Sequence, residues 1–180
     1  GDEFCNTRFG NNNPYCQDNE TGWIKWNRNG SGEEIFSYIK DLIRLKKEHP
    51  ILHCPNELKV LDYTGCGYPD LSYHGAEAWR PELDYYSRHA GAMYCGCYAR
   101  DRKGREDNFF YIAYNMHWIP HTFALPKLPK GMEWHLLADT GSGDGIKISG
   151  EAEKEQHVEV ASRTIRIYIS KQEEGAQNSK

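Results

Sequence analysis

From about residue 91 onward the apolar residues of this chain stop recurring every three or four positions and begin to recur every second one. That change of period constrains the fold more than any other feature. Apolar residues at i, i+3 and i+4 line one face of a helix, whereas alternation lines one face of a strand. The segments Ala92–Tyr98, Phe109–Asn115, His121–Leu125, Trp134–Ala138, His157–Ala161 and Thr164–Ser170 are β-branched or aromatic and are bounded by Gly, Pro, Asp or Asn. Arg102-Lys103-Gly104-Arg105 reads as a hairpin tip between the first two. In the last, Ile165, Ile167 and Ile169 alternate with Arg166, Tyr168 and Ser170, the pattern of a half-buried strand. Short strands at this spacing predict a mainly β fold, an antiparallel β-sandwich.

One helix precedes the strands. Ser31 and Glu34 have the spacing of a capping box. Ile35, Phe36, Ile39, Leu42 and Ile43 form one apolar face. Arg44, Lys46 and Lys47 sit in the last turn, where they complement the helix dipole, and Pro50 closes the element. Such a stripe has to be covered. The helix is therefore expected to dock on the sandwich, to pair with a second copy in a non-native dimer, or to fray. Residues 1–30 read as loop around the turn cluster Gly10-Asn11-Asn12-Asn13-Pro14, and residues 51–90 as irregular chain rich in Tyr, Gly, Pro and His.

Composition removes whole classes of function. With 22 basic and 26 acidic residues the net charge is −4, without the basic excess of a nucleic-acid binder. No stretch approaches the roughly 18 apolar residues of a membrane span. Gly1-Asp2-Glu3-Phe4-Cys5 shows neither the basic nor the apolar region of a signal peptide. Aromatic residues at 13% argue against disorder and suit a β-rich or sugar-handling protein. The six cysteines, at 5, 16, 54, 66, 95 and 97, are expected to be reduced thiols in the cytoplasm.

Most motif-like strings yield to plain readings. Asp139-Thr140-Gly141-Ser142 matches the aspartic-protease signature, but that chemistry needs two such aspartates sharing a proton and only one copy is present. It reads better as a loop between strands. Cys95 and Cys97 with His117 and His121 evoke zinc, yet the cysteines are one residue apart on an expected strand and Pro120 breaks any helix carrying both histidines. Packed thiols and surface histidines are the simpler account, so neither a metal nor a cofactor is expected. The remaining chemistry-bearing groups are the carboxylates Asp2, Glu3, Asp18 and Glu20, in an aromatic, Asn-rich leader. Tyr and Trp faces stack on sugar rings while Asn and Asp bond hydroxyls. The same residues also build turns and caps. Both readings stay open, and no acid or nucleophile can be assigned.

Read as strings, Gly1-Asp2-Glu3-Phe4 and Gly10-Asn11-Asn12-Asn13-Pro14-Tyr15-Cys16-Gln17-Asp18-Asn19-Glu20 resemble the segment after the last barrel strand of bacterial glycogen-debranching enzymes. These form the isoamylase- and pullulanase-like branch of the α-amylase superfamily, glycoside hydrolase family 13. Trp23-Ile24-Lys25-Trp26, Arg44-Leu45-Lys46-Lys47-Glu48-His49-Pro50, Pro69-Asp70-Leu71-Ser72-Tyr73-His74-Gly75, Trp79 and Tyr85-Tyr86-Ser87-Arg88 continue the likeness to about residue 140. The resemblance implies that residues 1–50 are the last βα loop and last helix of a catalytic (β/α)8 barrel, 51–90 a linker, 91–170 the C-terminal sandwich and 171–180 a disordered tail. It implies a parent that hydrolyses α-1,6 branches of glycogen- or starch-like glucans with retention. The catalytic carboxylates of that family lie on barrel strands before this segment, so no residue here is expected to be catalytic. Active sites of such barrels are built from βα loops. Asn12, Asn13, Tyr15 and Asp18 are accordingly the residues expected to touch the α-glucan. The expected partners are that glucan and the missing N-terminal barrel, without nucleic acid or membrane. The alternative is a non-catalytic carbohydrate-binding or structural β-sandwich.

Overall fold

The computed structural model of the chain describes residues 1–27 and 30–173, and the chain divides after Leu45 into two units. In the first unit, a 3-10 turn over Asp2–Phe4 buries the Phe4 ring, whose centroid stands 6.3 Å from that of Trp26. Helix α1 runs over Ser31–Glu48, with Glu33 and Glu34 in its first turn and Lys46 and Lys47 in its last. Ser31 is the first helical residue. The helix is entered through Gly30, at φ +52°, whose carbonyl accepts the N–H groups of Glu33 and Glu34 at 3.1 and 3.3 Å. Gly32 matters for packing: a Cβ there would stand 2.8 Å from the Phe4 carbonyl oxygen, so only a glycine lets the leader lie this close. The apolar stripe is partly covered, with Leu45 buried, Phe36, Ile39 and Leu42 half-buried, and Ile35 and Ile43 exposed.

The second unit opens with a 3-10 turn over Pro50–His53 and then builds seven strands: β1 Leu71–His74, β2 His89–Tyr94, β3 Phe110–Asn115, β4 His121–Ala124, β5 Met132–Asp139, β6 His157–Val160 and β7 Thr164–Gln172. Five form an antiparallel sheet in the order β1-β2-β3-β7-β5, and β4 pairs with β6 in a second sheet. The register places Ser72, Met93, Tyr111, Tyr168 and Leu136 in one row across the large sheet. Met93, Tyr111 and Tyr168 of that row meet Phe123, Val158 and Val160 of the small sheet and Trp134 in one core. The two faces sealed together are the predicted antiparallel sandwich. No helix among the described residues is long and apolar enough to cross a membrane.

Three details differ from the sequence reading. Strand β1 was read as irregular chain, because Ser72 and His74 are the inward-facing residues and Tyr73 the exposed one, which inverts the usual alternation. Strand β7 is buried on both faces rather than half-buried. It lies between β3 and β5, so Tyr168 enters the sandwich core while Ile167 and Ile169 are buried on the opposite face. It also continues through Gln172 into the stretch read as a tail, whose residues 174–180 lie outside the described residues. Finally, the strand expected over Ala92–Tyr98 ends at Tyr94, and Gly96–Tyr98 form a 3-10 turn. A Cβ on Gly96 would collide with the Asp107 backbone, so the glycine lets the chain fold tightly against the start of the next strand.

Candidate functional site

The leader that carries Asn12, Asn13, Tyr15 and Asp18 is held by side-chain to backbone bonds between near neighbours. Asn11 Oδ1 accepts the Asn13 N–H at 2.9 Å, Asn13 Oδ1 accepts the Tyr15 N–H at 3.3 Å, and Asn19 Oδ1 accepts the Thr21 N–H at 2.9 Å. These are Asx turns, the reason Asn recurs in such loops. Asn11 Nδ2 donates to Gln17 Oε1 at 3.1 Å and closes the loop on itself. Asp18 does a different job: its Oδ1 accepts the Trp23 indole N–H at 2.7 Å and fixes the plane of that ring. Lys25 Nζ sits 4.4 Å from the centroid of Phe9, a cation–π contact.

The outcome is an apolar surface on a polar frame. Tyr15, Trp23 and Trp26 are exposed by 82, 57 and 76%, an unusual display of large aromatic faces. The structure brings Asn13 and Tyr15 into one turn and joins Asp18 to Trp23, while Asn12 is an exposed residue of the same loop. Chemically this surface can stack on sugar rings and bond hydroxyls. Asp18 serves the Trp23 indole.

Asp139-Thr140-Gly141-Ser142 is the loop it was read as. Asp139 Oδ1 accepts the Gly141 N–H at 2.8 Å, and Oδ2 pairs with Arg166 Nε at 2.6 Å. The carboxylate is committed to a turn and an ion pair.

The cysteines and histidines sort differently from the zinc pattern weighed above. His89 stacks on His121 at 4.4 Å and His117 meets His121 edge-on at 5.1 Å. His89 Nε2 lies 3.2 Å from Glu82 Oε2. Burial, and then the neighbouring His89 and His117, hold the His121 imidazole below its ordinary value. Among the described residues, the donors that gather within 4.8 Å of one another in a set of three are instead the sulfurs of Cys66, Cys95 and Cys97. Cys66 Sγ is 3.9 Å from Cys95 Sγ. Cys95 is fully buried and its two partners are half-buried. Burial drives the Cys95 thiol far above its ordinary value. Beside the cluster, Tyr98 Oη stands 2.7 Å from Asp62 Oδ1 and 3.6 Å from Cys66 Sγ. The Tyr98 hydroxyl, helped by the N–H groups of Gly67, Gly65 and Cys66, pulls the Asp62 carboxyl down to about 2 against the effect of burial. Cys66 lies 29 residues before Cys95, and no local spacing pattern announces it.

Comparison with known proteins bears on the whole chain. No family model matches it. It is 28% identical over 142 residues to an isoamylase from Flavobacterium, covering 79% of this chain and 18% of that enzyme. It is 57% identical over 48 residues to the glycogen operon protein GlgX homolog of Haemophilus influenzae, covering 27% of this chain and 7% of that protein. This chain is homologous to a part of the isoamylases and glycogen-debranching enzymes. It spans less than a fifth of the length of these relatives. The fold agrees: pullulanase from Bacillus acidopullulyticus superposes on 94% of the chain with a TM-score of 0.63 at 18% identity, using 18% of its own length. The β-sandwich and the family likeness read from the leader motifs are thus both supported by independent comparisons, one of structures and one of sequences.

Proposed function

We propose that this chain is the C-terminal region of a debranching glycosidase, one that hydrolyses α-1,6 branches of glycogen- or starch-like glucans with retention in the cytoplasm. The observation that carries the reading is the isoamylase likeness, which extends over 79% of the chain and takes in both helix and sandwich segments by its length. Retaining hydrolysis uses a general acid and a nucleophile, two carboxyls about 5–5.5 Å apart. In this reading both belong to barrel strands outside these 180 residues, and the present residues perform no bond-breaking step. Their part is to position the glucan. The leader is the last βα loop at the mouth of the barrel, where Tyr15 offers a stacking face, Asn12 and Asn13 bond hydroxyls, and Asp18 acts through the Trp23 indole it holds. The sandwich covers the barrel.

The purified chain is tested directly for release of reducing ends from amylopectin and glycogen. The expected result is none, and measurable debranching would overturn the assignment of the catalytic groups. The exposed Tyr15, Trp23 and Trp26 favour one competing reading, a carbohydrate-binding module that works alone. Calorimetric titration with branched maltooligosaccharides separates the two. A loop detached from its barrel offers only part of the cleft's contacts and binds feebly, whereas a dedicated module binds with Kd below about 1 mM, near −4 kcal/mol.

A further inference from the structure

We propose that Cys66, Cys95 and Cys97 form a zinc(II) site that ties the loop before β1 to the end of β2. The three sulfurs come from separate places. Cys66 belongs to a turn organised by Asp62, whose carboxylate accepts the N–H groups of Gly65, Cys66 and Gly67 at 2.8, 3.2 and 2.8 Å. Cys95 follows β2, and its N–H donates to the carbonyl of buried Asp70 at 3.0 Å. Cys97 lies in the 3-10 turn made possible by Gly96. That turn brings the Cys97 sulfur close to that of Cys95, whereas on a continuous strand the two would share a face but stand about 6.5–7 Å apart.

The spacing suits the ion. Sulfurs about 2.3 Å from a tetrahedral zinc stand about 3.8 Å from one another. The Cys66–Cys95 separation is 3.9 Å and all three sulfurs fall within 4.8 Å. Closing the triangle requires shifts of less than about 1 Å, within the reach of side-chain rotation. Three sulfurs leave a fourth position, which a water fills in sites of three protein ligands. Tyr98, bonded to Asp62 and 3.6 Å from Cys66 Sγ, is placed to orient that water. Binding exchanges three S–H protons for three Zn–S bonds, the protons passing to solvent, with no change of oxidation state.

The reduced, metal-free chain is alkylated with iodoacetamide with and without zinc(II), and each cysteine is quantified by mass spectrometry. Zinc should slow modification of Cys66 and Cys97 at least about tenfold while exposed Cys5 and Cys16 react unchanged. Cobalt(II) used in place of zinc should give a thiolate charge-transfer band that saturates at one ion per chain. The band should disappear in Cys66→Ser and in Cys97→Ser, both half-buried positions, with far-ultraviolet circular dichroism unchanged, and persist in Cys5→Ser/Cys16→Ser. Equal alkylation rates with and without zinc would overturn the proposal. So would a cobalt band retained by either serine variant, or a Cys66–Cys95 disulfide as the stable form of the chain under zinc and reductant.

Discussion

Asn115 lets the packing argument be tested at a single side chain. It ends β3, is fully buried, and is the polar link between the two sheets. Its Nδ2 group lies 2.9, 3.0 and 2.9 Å from the carbonyl oxygens of Ile119, Val160 and Ala161, and its Oδ1 accepts the His117 N–H at 3.0 Å. Asn115→Ala removes both donors and the acceptor at once. The Val160 carbonyl is in the interior and loses this donor, which costs about 0.5–1.5 kcal/mol. The groups on Ile119, Ala161 and His117 lie nearer water and lose about 0.5–1 kcal/mol each. The sum is about 2–4.5 kcal/mol, a large share of the roughly 5–15 kcal/mol that holds a domain together. For a chain of this size that lowers Tm by roughly 10 °C. The assay is thermal unfolding followed by near-ultraviolet circular dichroism, which reports on the core around Trp134. Asn115→Asp sharpens the test. It keeps the shape but turns a carboxylate oxygen toward the carbonyls, so it should be worse than alanine at pH 7 and recover as acid protonates it. A Tm within about 3 °C of the parent for alanine, or an aspartate as stable as asparagine, would refute the claim that these bonds join the sheets.

Other expectations rest on separate features. Gly91→Ala drives a methyl into the Tyr111 ring at the centre of the sandwich, and urea unfolding should show a loss of about 1–3 kcal/mol, because an overpacked core cannot yield. His74 is buried, accepts the Trp79 N–H on Nδ1 at 2.8 Å and faces Ser72 Oγ with Nε2 at 2.9 Å, and burial lowers its value to about 4. Its folded value is depressed, so the unfolded chain takes up the proton first and stability falls as pH drops from about 6.5 toward 4, by on the order of 2–3 kcal/mol. Urea midpoints across that range should show a shallower slope in His74→Gln than in the parent. In a full-length debranching enzyme carrying this region, Tyr15→Ala should raise KM for branched glucan about 2–10-fold, the value of one aromatic contact, with kcat held nearly constant. An unchanged KM would remove Tyr15 from the glucan surface.

Much of this molecule could be read without coordinates, and the reason is local. Strands β3, β4 and β6 begin or end within a residue of the positions read from their β-branched and aromatic residues and the Pro, Asp or Asn that bound them, and in β6 Val158 and Val160 face the core while His157 and Glu159 do not. The loop at Asp139 was equally readable, since the bonds that shape its turn, from the Gly141 and Ser142 N–H groups to Asp139, close within three residues. The likeness to debranching enzymes was read from strings of leader residues, whose Asx turns and indole-to-carboxylate bond join residues no more than five apart.

What escaped the sequence was whatever depends on residues far apart along the chain. Alternation along β1 pointed the wrong way because Ser72 and His74 find polar partners inside, and burial of a polar group depends on such partners rather than on its own hydropathy. β7 looked one-sided because its central place in the sheet is decided by β3 and β5, not by its own residues. The three sulfurs are the plainest case. Cys95 and Cys97 looked like neighbours on a strand, and Cys66 looked unrelated, until Gly96 turned the chain under Asp107 and the Asp62 loop came down upon it. Short-range periodicity, turn chemistry and family likeness were therefore written in the order of the residues. The tertiary fold alone chose which polar groups went inside and which distant thiols met, because both depend on what surrounds a side chain rather than on what precedes it.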